Sequence, residues 1–301
     1  MKSFLHNVAA SGLEEAILRT VSFFDVLGYC LTADEICHRL LGFRASSDEI
    51  LLGLAMCSTI ETDGVYYFLK GRGELAKLRI DHQVYHREML KKVEKLRWIF
   101  SITPFLKGVY VCNTLAMTQA RPGSDIDVLV ITRRNRLFIV RTCLLILTQL
   151  LGIRRYDNKV EGRLCLSFFV DEDHVDMSEL LLKPYDVYFA YWLLLLKPIG
   201  KSPSLLNSND WMNNYFSEEV LVRGQGLSDA VSGRSFLVKF WNRIELLLLH
   251  WQLRRACAKF VAMGRPQGVV LEKHCLKFHD QDMREKYRSE WEMRISARAG
   301  D

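Results

Sequence analysis

The sequence predicts an α/β protein. From Pro104 the patterns run strand, turn, strand, helix, strand, helix, with short helical patterns before them and long ones after. The 301 residues suffice for two or three modules, and 49% apolar with 25% charged residues excludes disordered and fibrous chains. Four stretches are expected: residues 1–70, three short helices and a β-ribbon; 71–100, a basic connecting helix; 101–200, the α/β domain; 201–301, a mainly helical region.

In the first stretch, Leu13–Leu27 sets Ile17, Leu18, Val21 and Phe24 on one helical face, and Gly28 ends it. Thr32 with Glu35 forms a capping box that opens a helix over Ala33–Leu41, and Ser47-Asp48-Glu49 opens a third over Ile50–Ile60. Thr62-Asp63-Gly64 then turns the chain into the β-rich Val65–Leu69. This order resembles a winged helix-turn-helix. The segment Asp48–Ile60 in the recognition position carries Asp48, Glu49, Leu51, Leu52, Leu54 and Met56 but no Arg or Lys, so DNA is disfavoured and a protein partner for residues 13–70 is expected. In the basic helix that follows, His82 and His86 share a face. With no third ligand nearby they read as solvated.

The α/β domain is read from strands at Gly108–Cys112, Asp127–Thr132 and Leu164–Val170, with a helix at Leu137–Leu151. Arg141 and Gln149 interrupt the apolar run Leu137–Ile153, which favours a buried helix over a membrane span. Helices follow at Tyr185–Leu196, stopped by Lys197-Pro198, and at Phe236–Met263. Loops are expected over Lys201–Asn214 and Val222–Arg234, and a charged helix or partly ordered tail from Lys273. The start carries Glu14 and Glu15 and no secretory pattern, so a cytoplasmic protein without a membrane partner is expected. Eight cysteines without a C-x-x-C pair suit reduced core thiols, not zinc. A net charge of +6, from 41 basic and 35 acidic residues, permits phosphate-bearing partners but falls short of a nucleic-acid coat.

Chemistry concentrates in Val109–Thr132, VYVCNTLAMTQARPGSDIDVLVIT. Strand residues two apart point the same way, so Asp125 and Asp127 project together while Ile126 and Val128 face the other side. Two adjacent carboxylates repel unless a cation lies between them, and hard oxygen ligands suit Mg²⁺ or Mn²⁺ held also by substrate phosphates. Arg121, Arg133 and Arg134 flank the motif and are candidates to offset phosphate charge. A Cys165 or Cys143 pairing with His174 finds no element to fix its geometry.

Here the chain resembles the nucleotidyltransferase superfamily of DNA polymerase beta, whose signature is Gly-Ser at a strand end and Asp-x-Asp on the next strand. Ser124-Asp125-Ile126-Asp127 matches the second half, and the resemblance covers roughly residues 100–200 in element order. The winged-helix pattern in front, and LLKP and FHDQD segments behind, also look like uncharacterised bacterial and archaeal nucleotidyltransferase-domain proteins. The resemblance implies a small mixed sheet flanked by helices, catalytic and metal-binding roles for Asp125 and Asp127, and nucleotide binding by Asn113, Thr114 and Ser124. It also implies transfer of a nucleoside monophosphate from an NTP to an acceptor, whether RNA, protein or small molecule. Two departures stand out. Asn113-Thr114 replaces Gly-Ser, although Asn visits positive φ more readily than most residues and Thr keeps a hydroxyl. The strand expected to carry a third carboxylate has Ser167 in that place, with Asp171, Glu172 and Asp173 just beyond as candidates. The alternative is a catalytically impaired nucleotide-binding or scaffold protein.

Overall fold

Helix α1, Leu13–Val26, buries Ile17, Val21 and Phe24 along one side and Phe23 on another, and ends where Gly28 adopts φ +70°. The Gly28 and Tyr29 amides there donate to the Asp25 and Phe24 carbonyls, satisfying groups that the helix end leaves open. The computed structural model describes residues 12–156, 158–221, 224, 235–279 and 281–297. The first eleven residues and the loop expected over 222–234, Gly224 excepted, lie outside the described residues.

The Thr32–Glu35 capping box starts α2, Ala33–Cys37, which is shorter than expected. Helix α3, Ser47–Met56, begins earlier than expected because Ser46 forms a second capping box with Glu49. It also ends earlier, since Ile60 belongs to β1, Ile60–Thr62, paired antiparallel with β2, Tyr67–Leu69. Leu31 bridges the free edge of β2 at Tyr67. The connecting helix follows as α4, Glu74–Ile102. His86 on α4 departs from expectation: it is buried, with Nε2 3.4 Å from Lys197 Nζ. Burial, then the Lys197 charge, lower its pKa to about 4. The unfolded chain therefore takes up a proton at this histidine that the folded chain refuses, and stability is lost as pH falls from the ordinary histidine value of 6.5 toward 4. Urea unfolding at about pH 7.5 and pH 5 should differ by about 2 kcal/mol from this residue, and His86→Gln should shrink the difference.

The α/β part is a six-stranded mixed sheet in the order β6-β3-β4-β5-β8-β7. Its central strands are β3, Leu106–Val111, β4, Ile126–Thr132, and β5, Leu164–Asp171. The β4–β5 pair is parallel, crossing over through α6, Leu137–Leu150, and the other pairs are antiparallel. Short α5, Asn113–Ala116, follows β3, and α7, Val187–Leu194, is capped by Asp186 before β6, Lys197–Pro198. The region expected to be mainly helical yields α8, Ser235–Ala262, and α9, Arg284–Ser296, but also two sheet strands, β7, Val269–Leu271, and β8, Cys275–Phe278. Each is too short for alternation to declare it, and Glu272, Lys273 and His274 separate them.

Two cores sandwich the sheet. On one face Leu129, Ile131, Phe168 and Val170 join α7, α9 and the N-terminal helices. Phe23 stacks on Tyr191 at 4.4 Å, and Trp291 Nε1 donates to the Arg19 carbonyl. The N-terminal stretch thus shares its core with the α/β part. On the other face Val128, Val130, Leu166 and Phe169 pack under α4, α6 and α8. The helix read as buried, α6, is buried on its sheet side but exposes Ile146 and Leu150. No described helix is long and apolar enough to cross a membrane.

Candidate metal and nucleotide site

Strand β4 delivers the acidic pair as its period demands. Ile126 is fully buried beneath the sheet, while one ligand atom each from Asp125, Asp127 and Cys165 lie within 4.8 Å of one another on the other side. Cys165 is there because it is the register partner of Asp127 on β5. One extra residue on β5 before Phe168 forms a bulge, and Ser167 turns its hydroxyl toward Asp127 Oδ1 at 3.4 Å. Burial, then the charge of Asp127, raise the Asp125 pKa, against the opposing pull of Arg155. Arg155, which sequence reasoning missed, donates to Asp125 Oδ2 at 2.5 Å and lies 3.7 Å from Cys165 Sγ. Burial and both aspartates push the Cys165 thiol up, so it stays neutral.

Asn113 stands where glycine is expected and takes the positive φ, +54°, that such a position requires. Its amide is fully engaged. Nδ2 donates to Asp127 Oδ2 at 2.8 Å and lies 3.0 Å from His279 Nε2, while Oδ1 accepts from Trp192 Nε1 at 2.8 Å. Asn113 therefore orients Asp127 and is itself held by α7. Thr114 is exposed beside it and lines a cavity of about 240 Å³ shared with Asn113 and Asp127. Phe168, Tyr188, Trp192 and Tyr287 form its aromatic wall, and Lys277 of β8 supplies a cation. Among the described residues no hydrogen bond or ion pair reaches Lys277 Nζ; burial lowers its pKa, as does nearby Arg284. Arg284 is itself committed to Asp186 and Asp282.

Other expected residues lie elsewhere. Ser124 closes its own turn, its hydroxyl accepting from the Arg121 amide, and is not part of the cavity wall. Asp171, Glu172 and Asp173 sit at the far end of β5, roughly 20 Å from Cys165 at the strand rise. They are bound to His174, Lys107 and Arg134 respectively, so none supplies a third carboxylate. Arg133 and Arg134 follow β4 at that same far end. His174 stacks on His274 there, which removes any pairing with Cys165.

The two carboxylates are close enough to serve as hard ligands to one divalent cation, while the neutral Cys165 thiol beside them is no donor to such an ion. No protein-family model matches the chain, and neither curated proteins nor solved structures yield a match.

Proposed function

We propose that the chain is a nucleotidyltransferase-like protein of the DNA polymerase beta-like superfamily. It takes an NTP as its Mg²⁺ or Mn²⁺ complex at Asp125 and Asp127 and transfers the nucleoside monophosphate to an acceptor, releasing pyrophosphate. The observation that carries this reading is the convergence of the Asp125 and Asp127 carboxylates, with Asp127, though not Asp125, lining the cavity that Thr114 also lines. The bound cation supplies charge neutralisation at the reacting phosphate. Asp125 and Asp127 hold it, Asn113 orients Asp127, the Thr114 hydroxyl and Lys277 offer donors to phosphate oxygens, and the aromatic wall excludes water. Arg155 balances Asp125 when the nucleotide is absent.

One observation favours the second reading, binding without transfer: the strand position facing Asp127 holds a neutral thiol, not an acid that could accept the acceptor's proton. The winged-helix reading of the N-terminal stretch rests on three helices, a hairpin and the Leu31 bridge. The exposed Leu51, Leu52 and Met56 on α3 suit a protein partner better than DNA.

Labelled NTPs, Mg²⁺ or Mn²⁺, and a panel of RNA, protein and small-molecule acceptors test transfer; calorimetry with the same nucleotides tests binding. Divalent-dependent binding without turnover selects the second reading, and no divalent-dependent binding removes both. Lys277→Met should weaken metal–NTP binding about 10- to 100-fold, the loss expected for a charge-assisted hydrogen bond.

A further inference from the structure

Helix α8 has a built inner side and an unmatched outer one. Leu248, Leu249 and Leu253 pack into the core under the sheet, and Gln252 donates to the Phe138 carbonyl. Its one acidic residue, Glu245, is buried and accepts from the Phe138 and Ile139 amides at 2.9 Å each, capping α6. The outer side consequently has no acid. Lys239, Arg243, Arg254 and Arg255 are all exposed there, and Lys259 is exposed near the helix end on the side of Gln252. Between them lie Phe240, Leu247 and Trp251, spaced seven and four apart on one stripe and 51%, 72% and 59% exposed. Neighbouring α6 adds exposed Ile146 and Leu150.

We propose that the outer face of α8 docks on an anionic lipid bilayer, with the helix lying in the plane of the headgroups. The charge is complementary to such a surface, and the apolar stripe carries the side chains that enter its acyl boundary while the Arg and Lys stems extend back to phosphate. Two-fold pairing of two copies would set like charges on each other. Nucleic acid would use the cations and rings but leave Leu246, Leu247 and Val261, all exposed, without a partner. The absence of a membrane-crossing helix among the described residues agrees with a surface mode. The face runs counter to the expectation of no membrane partner and is independent of the nucleotide reading.

The test is co-sedimentation of the full chain with phosphatidylcholine vesicles with and without phosphatidylglycerol, at low and high salt. Binding is expected with the anionic vesicles alone, falling with salt. Arg254→Ala with Arg255→Ala should lower the partition coefficient roughly 30-fold, the equivalent of about 1 kcal/mol per cation near the surface. Leu247→Glu with Trp251→Glu should abolish binding while circular dichroism stays unchanged, since both side chains are exposed. No binding to anionic vesicles at low salt overturns the proposal, as does full binding by the Leu247/Trp251 variant. So does a lipid-free dimer, or a single-stranded RNA complex, that the same variant dissolves while vesicle binding persists.

Discussion

Asp127→Asn should lower divalent-dependent NTP affinity by at least ~100-fold and any turnover by at least ~1,000-fold, because one of two hard anionic ligands is lost from the cation. The fold should not suffer. An asparagine oxygen still accepts from Asn113 Nδ2, and removing the charge relieves the repulsion that raises the Asp125 pKa. Without metal the variant should therefore be as stable as the parent or more so, by up to ~1 kcal/mol. Calorimetry with Mn²⁺ and a nonhydrolysable NTP measures the first quantity, and urea unfolding in chelator the second. Asp125→Asn should cost less binding, since Arg155 already offsets part of that charge. Unchanged binding in both variants, together with a loss of stability, would make the pair structural and remove the proposed function.

Trp291→Ala should destabilise the chain by ~3–5 kcal/mol, the cost of emptying a buried indole site, out of a typical total of about 5–15 kcal/mol. Trp291 is 1% exposed, lies edge-on to Tyr185, and ties α9 to α1 through the Arg19 carbonyl. Arg294 adds a bond from α9 to Asp25 on α1. Trp291→Phe keeps most of the volume but loses the N–H donor, and should cost ~1–2 kcal/mol. Urea midpoints of the three proteins check the ranking. A cost below ~1 kcal/mol for the alanine variant would show that α9 contributes little to the shared core.

The acidic pair was legible because a period of two determines which strand side chains share a face, and nothing else was needed to bring Asp125 and Asp127 together. Asn113 was legible as a tolerated positive-φ residue, but not as the residue that aims Asp127. That role depends on Trp192 and on His279, 166 residues away. Arg155 and Lys277 were missed for the same reason: each reaches the site through strand pairing or a loop whose path no local pattern specifies. The helix starts were legible where a capping box writes them, at Thr32–Glu35. At Ser46–Glu49 the box begins just before the Ser47-Asp48-Glu49 signal. The short strands β7 and β8 were not, because three or four residues carry too little alternation to compete with the charged residues around them.

Strand β8 has a temporal consequence. A ribosome finishes the aspartate pair, and the Asn113 and Arg155 side chains that engage it, long before it reaches Lys277, so that part of the cavity wall arrives late. A nucleotide that grips both edges of that cleft would act as a late clasp, and trypsin should then spare the segment around Lys277 when nucleotide and metal are present and cut it when they are washed away.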